Sequence, residues 1–305
     1  MKKLLVVFLM MISFCAKSQN DTLKFLEVSK TFNKKRLAGV AVAETVGYGA
    51  SLVMLNELWY KYYPRSKFHT FNDNSEWMQM DKFGHSMTSY YVGYFGYNTL
   101  RWTGLEEKKC IWYGATLGSF YLLIMEVLDG FAADWGFSVG DIAANTAGTA
   151  LFIGQQLRWE EQRIKMKVSA HLTETALLRP NIFGHNTTER LLKDYNGQTY
   201  WLSGNISSFL NKETKFPKWI NVAVGYGAED MYTGSPNQVY YANNTVYSPD
   251  ARYRQYYLSL DVDFTKIPTK SKLLKTTFGL LNMVKMPFPA LEFSKNGIKG
   301  KGFYF

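Results

Sequence analysis

The chain has 305 residues, 16% of them aromatic, and a formal net charge of +10 at pH 7. Its only cysteines are Cys15 and Cys110, so the sequence excludes the disulfide framework of a small secreted domain. We expect Cys110 to be a small buried hydrophobic residue.

The first residues have the composition of an export signal. Two lysines precede an apolar run over residues 4–14, which is too short to span a bilayer. Small residues then predict cleavage before Gln19, so residues 1–18 are interpreted as a signal peptide. Lipid attachment at Cys15 is an alternative, although Phe14 stands where a lipobox has a small residue. Both alternatives predict export.

The charge balance indicates which partners to expect. Cleavage would remove three lysines and leave a net charge of +7. A basic exported chain rich in aromatic residues suits an anionic membrane surface, so we expect membrane lipid as a partner and no nucleic acid. The expected location is the outer membrane or the periplasmic face of the envelope.

Four long segments with helical character follow the signal, within a helical domain predicted over residues 19–165. They lie at residues 37–59, 82–102, 108–128 and 139–161. Small residues recur every four positions from Gly39 to Ser51, which would let another helix or a second copy approach closely. Because polar residues interrupt every segment, a membrane-embedded bundle and a compact bundle lying against a bilayer both remain open.

The pattern changes to strand-like alternation after residue 165. Residues 252–264 alternate apolar and polar side chains, and residues 199–209, 219–229 and 276–286 are predicted to be further strands. The aromatic C-terminus is typical of outer-membrane barrels, but five or six strands are fewer than the eight of the smallest such barrel. An antiparallel sheet packed on the helices and a barrel-like, membrane-contacting sheet both remain open.

These patterns predict an α+β fold. A four-helix hydrophobic bundle with a polar interior would precede an antiparallel β domain over residues 166–305. No internal repeat or long linker interrupts this order.

Polar residues at predicted helix ends form three groups. Asp81 and His85 are four residues apart and share a helix face, with Lys82 beside them. Glu126 and Asp129 lie near the end of the third helix. These side chains are expected to face the interior of the bundle.

The third group is the stretch DWGFSVGDIAANTAG at residues 134–148. Ser138 with Asp141 three positions later is a capping box, which predicts that the fourth helix starts at residue 139 and that Asp141 bonds back to the cap. Asn145 and Gly148 follow Asp141 on the same helix face. Capping does not explain Asn145, which we expect to point towards His85.

The order DKFGH, EVLD and WGFSVGDIAANTAG resembles the YfiM-type family of predicted periplasmic lipoproteins, whose function is uncharacterised. The same order is similar to the VanZ-like membrane proteins. The resemblance covers about residues 80–157 and implies one polar cluster, formed by Asp81, Lys82, His85, Glu126, Asp129, Asp141, Asn145 and Gly148. It implies no reaction.

Three functions fit these observations. The preferred hypothesis is a structural or accessory envelope protein, in which the cluster joins the helices and small-residue helix faces bind an envelope partner or a second copy. The alternative is an enzyme in which His85 is the acid/base or a metal ligand, with Glu126 and Asp141 setting its pKa. The third is a protein that binds lipid or another amphiphile with an aromatic cradle from residues 195–205 and 225–232.

The sequence favours a protein without catalytic activity. It contains no nucleophile elbow, phosphate loop, zinc-protease motif or paired-cysteine motif. We expect no cofactor and no metal, because catalytic zinc usually has three protein ligands and often more than one histidine. A divalent metal at His85 remains the alternative.

Overall fold

The computed structural model describes residues 25, 27–57, 64–211, 213–242 and 244–304. The predicted signal peptide, its cleavage site before Gln19 and the alternative lipid attachment at Cys15 lie outside the described residues. The described residues combine eight helices with an antiparallel six-stranded sheet, which confirms the α+β class.

Four long helices precede the sheet. Their bounds are Lys34–Leu55 (α1), Met80–Trp102 (α2), Glu107–Asp129 (α3) and Val139–Trp159 (α4). All four overlap the predicted segments. Within α3, residues Cys110–Gly114 form a π-helical turn, which the apolar pattern does not predict.

The centre of the helical unit is α2, which packs against α3 and α4. Glycines allow the backbones to approach closely: a Cβ atom added at Gly118 would lie 2.1 Å from the carbonyl oxygen of Ser89. At Gly148 on α4 the same atom would lie 2.0 Å from the carbonyl oxygen of Ser86. These contacts require glycine, because any side chain would push the helices apart.

The predicted four-helix bundle is not confirmed, because α1 packs only loosely. It contacts α2 through a hydrogen bond from Thr99 to Glu44, and α3 through Ser51 and Tyr121. Helices α1 and α3 are each long and apolar enough to cross a membrane, judged by length and composition. Buried core helices also have this length and composition, and 39% of the apolar stretch of α3 is buried, against 6% of that of α1.

The sheet contains six of the eight strands among the described residues. The strands are Ile164–Ala170 (β1), Gln198–Asn205 (β2), Ile220–Glu229 (β3), Tyr240–Ala242 (β4), Thr245–Tyr247 (β5), Tyr253–Val262 (β6), Phe288–Ser294 (β7) and Gly297–Tyr304 (β8). The order in the large sheet is β1-β2-β3-β6-β7-β8, and β4 and β5 form a separate hairpin. The strands predicted at 199–209, 219–229 and 252–264 are therefore confirmed.

The strand predicted at residues 276–286 is wrong. Residues Lys272–Leu281 form a helix, α8, whose N-terminus is capped by Ser271 through a hydrogen bond from Leu274 N. Three short helices, Thr175–Leu178 (α5), Pro180–Phe183 (α6) and Thr187–Lys193 (α7), connect β1 to β2. The capping serine provides the helix signal that a reading of the apolar residues alone overlooks.

The two faces of the large sheet are inverted relative to an ordinary sheet, because polar side chains are buried and apolar side chains are exposed. One face buries polar residues: Ser203 on β2 and Asp261 on β6 are fully shielded from solvent. The opposite face exposes apolar residues, including Val224 on β3, whose exposed fraction is 53%. In most antiparallel sheets with one solvated face the buried residues are the apolar ones.

The polar face is buried because the sheet curls around it. Lys167 on β1 and Asp261 on β6 are separated by two strands in the sheet order, yet the distance from Nζ to Oδ2 is 2.7 Å. The outer edge of β1 pairs with residues 283–285, through hydrogen bonds between Val168 and both Met283 and Lys285. Pairing between β1 and β8 is not seen in the described part of the chain, so a closed barrel is not confirmed.

Helix α2 covers one end of the apolar face. The ring of Phe83 stacks between Tyr200 and Tyr226, with ring centroids 6.2 and 4.7 Å away, and the hydroxyl of Tyr91 donates to the carbonyl oxygen of Met166. The helices and the sheet therefore share one hydrophobic cluster. The division into domains at residue 165 stays a prediction.

Candidate functional site

Helix α4 begins at the polar stretch that the sequence singles out. Ser138 caps this helix by accepting a hydrogen bond from the backbone N–H of Asp141 at 3.1 Å. The expected return bond from Asp141 to the cap is not formed. The backbone N–H of Ser138 instead donates to Oε2 of Glu126 at 3.2 Å. A carboxylate from α3 thus completes the cap, which leaves Asp141 free to face α2.

Lys82 on α2 binds the carboxylates at the outer side of the cluster. Its Nζ lies 2.6 Å from Oδ1 of Asp141, 2.7 Å from Oδ1 of Asp73 and 3.2 Å from Oδ2 of Asp81. Asp73 also accepts a hydrogen bond from the hydroxyl of Ser138 at 2.6 Å. The sequence motifs do not indicate Asp73, since it lies in a polar loop before α2.

His85 is one turn further along α2 and has polar partners at both ring nitrogens. Its Nδ1 donates to Oδ1 of Asn145 at 3.1 Å and lies 3.6 Å from Oε1 of Glu126. Its Nε2 lies 3.7 Å from Oδ1 of Asp81 and 3.9 Å from Oδ1 of Asp141. The structure therefore brings the predicted residues of α2, α3 and α4 together around one imidazole.

The cluster has a buried floor and a partly exposed rim. Glu126 and Asn145 are each 1% exposed and form the floor, whereas Asp81, Lys82 and His85 reach solvent in part. The hydroxyl of Tyr195, which precedes β2, donates to Oδ1 of Asp81 at 2.9 Å. This contact from the β half could not be read from the helical motifs.

A left-handed turn places the start of α2. Trp77, Met78 and Gln79 have φ values of 44°, 50° and 64°, a conformation that costs about 1–2 kcal/mol per residue. Residues of the β half hold this turn, because Gly234 accepts a hydrogen bond from Trp77 N and Arg254 donates to the side chain of Gln79. The position of Asp81 thus depends on the sheet as well as on its own helix.

Mutual charges oppose the effect of burial at the rim. Burial alone would raise the pKa of Asp81, but the neighbouring His85 and Lys82 hold that pKa below its ordinary value. Burial alone would lower the pKa of His85, but Asp81, Asp141 and Glu126 raise it. The cluster therefore favours an ionised Asp81 next to a protonated His85.

The deeper carboxyl groups behave in the opposite way. Burial raises the pKa of Glu126 to about 8, with repulsion from Asp141 and Asp129 adding to the effect. Burial and repulsion from Asp81 raise the pKa of Asp141 to about 7. These two groups can therefore hold a proton near neutral pH.

Asp129, which is also predicted to belong to the cluster, lies at the C-terminal end of α3 and acts on Glu126 through its charge.

The chemistry of the donors suits a cation or a proton. Oε1 of Glu126 and Nδ2 of Asn145 are buried and form no hydrogen bond with the described residues. Asp81, His85 and Asp141 offer ligand atoms that all lie within 4.8 Å of one another.

The predicted aromatic cradle at residues 195–205 and 225–232 is a separate candidate site. Its residue Trp201 is 1% exposed and packs against Tyr257 and Tyr304.

Comparison with known proteins finds a family model that is similar to the helical part of the chain. No curated protein and no solved structure matches the chain. Residues 69–154 match the family described as predicted periplasmic lipoprotein, DUF2279. This match confirms the resemblance to periplasmic lipoproteins of unknown function, whereas the similarity to VanZ-like proteins stays a prediction. Over residues 69–154 the chain is similar to a family of predicted periplasmic lipoproteins.

Proposed function

We propose that this protein is an accessory component of the envelope that lies against a lipid bilayer, with the apolar face of its sheet in the hydrocarbon of one leaflet. The observation that carries the proposal is the inverted sheet. Contiguous exposed apolar surface marks an interaction site. A bilayer satisfies such a surface without requiring a partner of complementary shape.

The strand register aligns the apolar residues into a continuous row. Leu202 on β2 is paired with Val224 on β3, Val224 with Leu258 on β6, and Leu258 with Leu291 on β7. All four side chains are at least 41% exposed. A row that crosses four adjacent strands presents a surface and not a set of isolated residues.

The dimensions of this face favour one leaflet. On β6 the exposed apolar side chains run from Tyr256 to Leu260. Five residues of a strand extend about 17 Å at about 3.4 Å per residue, whereas the hydrocarbon core of a bilayer is about 30 Å thick. We therefore propose that the apolar face of the sheet enters one leaflet and does not span the bilayer.

The helical half offers further apolar surface. Val42, Val46 and Val53 of α1 are each at least 63% exposed, and Phe120 of α3 is 62% exposed. The positive net charge adds attraction to anionic headgroups. Attraction of this kind is screened by salt, so it can be separated experimentally from apolar insertion.

The experiment is flotation of the purified mature chain with vesicles of phosphatidylethanolamine and phosphatidylglycerol. We expect the wild type to float in both 0.1 M and 1 M NaCl. A triple variant, Leu258→Gln, Leu260→Gln and Leu291→Gln, is expected to lose most of its flotation in high salt, because it removes apolar side chains from the face.

The matched control carries Leu177→Gln and Leu192→Gln, two exposed leucines on α5 and α7. It should float like the wild type. Circular dichroism establishes that both variants retain their fold. Undiminished flotation of the folded triple variant, or a wild type that stays with the aqueous phase, would contradict the proposal.

A further inference from the structure

The ring of His85 leaves one nitrogen without a hydrogen bond. Since Nδ1 donates to Oδ1 of Asn145, Nε2 is the nitrogen that can bind a metal, once the metal has displaced the proton that the nearby carboxylates favour there. Nε2 faces Oδ1 of Asp81 at 3.7 Å and Oδ1 of Asp141 at 3.9 Å. These distances are too long for hydrogen bonds. Oδ1 of Asp141 also pairs with Nζ of Lys82 at 2.6 Å, and Oδ1 of Asp81 accepts a hydrogen bond from the hydroxyl of Tyr195, so a cation at this place would compete with Lys82 for Asp141.

The spacing of these atoms suits a shared metal ion. Zinc binds imidazole nitrogen and carboxylate oxygen at about 2.0–2.2 Å, so two ligands of a tetrahedral ion lie about 3.3–3.6 Å apart. The three atoms of Asp81, His85 and Asp141 all lie within 4.8 Å of one another. Small side-chain movements would therefore bring them to coordination distance.

The opposite side of the ring has the arrangement that metal-binding histidines use. Such histidines donate their second ring N–H to a carboxylate or carbonyl oxygen, which fixes the tautomer and the ring plane. Here Asn145 accepts that hydrogen bond, and Oε1 of Glu126 lies 3.6 Å from the same nitrogen. Both residues are 1% exposed, and Oε1 of Glu126 has no hydrogen bond among the described residues.

The cluster contains more carboxyl groups than basic groups. Four carboxyl groups, from Asp73, Asp81, Glu126 and Asp141, surround one lysine and one histidine. Burying negative charge is costly unless a cation accompanies it. Lys82 can keep its contact with Asp73 while Asp141 and Asp81 turn towards an ion.

We propose that Asp81, His85 and Asp141 bind one divalent transition-metal cation, with Glu126 and Asn145 orienting the histidine. A ligand set of one imidazole and two carboxylates suits Zn²⁺ better than Mg²⁺ or Ca²⁺, which prefer oxygen ligands alone. The rim position of Asp81 and His85 gives the ion access from solvent. Three protein ligands leave one coordination position for water or a substrate.

The test is a calorimetric titration of the purified mature chain, stripped of metal by chelation, with Zn²⁺ and separately with Mg²⁺. We expect one Zn²⁺ per chain and much weaker Mg²⁺ binding. His85→Ala removes one of three ligands, and Asp81→Asn replaces a carboxylate by a weaker, uncharged amide oxygen, so each should weaken Zn²⁺ binding about 100-fold. The controls are His185→Ala and Asp250→Asn, which change exposed residues outside the cluster and should bind Zn²⁺ like the wild type.

Asp81→Asn keeps the size of a partly exposed side chain, so this variant tests the proposal even if His85→Ala fails to fold. Thermal unfolding provides a second readout: at the same Zn²⁺ concentration the Tm of the wild type and of both controls should rise more than the Tm of Asp81→Asn. Absence of stoichiometric Zn²⁺ binding, or equal binding by the wild type and folded Asp81→Asn, would overturn the proposal. Vesicle flotation does not depend on Zn²⁺ binding, so the proposal of membrane association and the proposal of a metal site can be contradicted independently.

Discussion

Asn145 on α4 accepts a hydrogen bond from Nδ1 of His85 on α2 at 3.1 Å, next to the fully buried carboxyl group of Glu126. The contact joins two helices that are 60 residues apart at this point in the sequence. It explains why an amide side chain occupies an otherwise small and apolar helix.

We expect Asn145→Ala to destabilise the protein by about 1–3 kcal/mol, because Nδ1 of His85 loses its acceptor in a buried place. Urea unfolding followed by circular dichroism measures the change. The control is Thr146→Ala, which changes the exposed neighbouring residue and should cost less than about 0.5 kcal/mol. Equal stability of the two variants would mean that the His85 contact contributes nothing.

Gly148 and Gly154 on α4 provide a sharper comparison. A Cβ atom at Gly148 would lie 2.0 Å from the carbonyl oxygen of Ser86, whereas at Gly154 there is nothing within 4 Å. We expect Gly148→Ala to separate α2 from α4 and to lower stability by more than about 3 kcal/mol. Gly154→Ala should raise stability by up to about 1 kcal/mol, because alanine favours helix. Thermal unfolding of both variants measures the difference, and a stable Gly148→Ala protein would contradict the close packing of these helices.

Lys167 and Asp261 form an ion pair inside the curled sheet. We expect replacement of one partner to lower stability more than replacement of both. Lys167→Met would remove the ammonium group that contacts the buried Asp261 and leave only the nearby Lys285 to offset its charge, so it should cost up to about 3–5 kcal/mol. Adding Asp261→Asn removes the unpaired charge and should recover part of this loss. Lys299→Met, at an exposed position on β8, serves as the control. Urea unfolding distinguishes these outcomes, and a single variant as stable as the control would show that solvent reaches the sheet interior.

Lys285 should give stability an unusual dependence on pH. Burial lowers its pKa from 10.5 to about 8, despite the nearby Asp261. Below pH 8 both the folded and the unfolded chain hold this proton, and the buried charge destabilises the fold. Between pH 8 and 10.5 the unfolded chain keeps a proton that the folded chain has released, so the free energy of unfolding contributed by Lys285 increases with pH.

The measurement compares the wild type with Lys285→Met in urea at pH 7.5 and 9.5. Relative to Lys285→Met, the wild type should gain about 1 kcal/mol over this interval, after allowance for solvent screening. Lys275→Met on the exposed side of α8 should show the same pH dependence as the wild type. A difference between wild type and Lys285→Met that is independent of pH would contradict the lowered pKa.

Local signals in the sequence predict the helix starts and the existence of the strands. Ser138 with Asp141 predicts the first residue of α4, because a cap involves neighbours in the chain. The same reasoning assigns the return bond to Asp141, whereas Glu126 makes the contact from another helix. Residues such as Asp73 and Tyr195 join the cluster through tertiary packing, which no spacing in the sequence encodes.

Period-two alternation likewise predicts a strand without saying which face is buried. In residues Tyr253–Val262 the apolar residues form one face whether that face turns inward or outward. The prediction at residues 276–286 failed because aromatic and β-branched residues favour strand, while the capping Ser271 lies outside that window.

The inverted sheet also affects the passage of the chain through the aqueous space between the membranes. A newly exported molecule has to fold its charged residues inward while leucines and valines gather on the outside. Two such faces from different molecules can stack at the spacing of about 10 Å that packed sheets adopt, and the result is an aggregate. We therefore expect the chain to depend on a periplasmic chaperone, or on folding directly at the lipid surface, to reach its place as a single molecule.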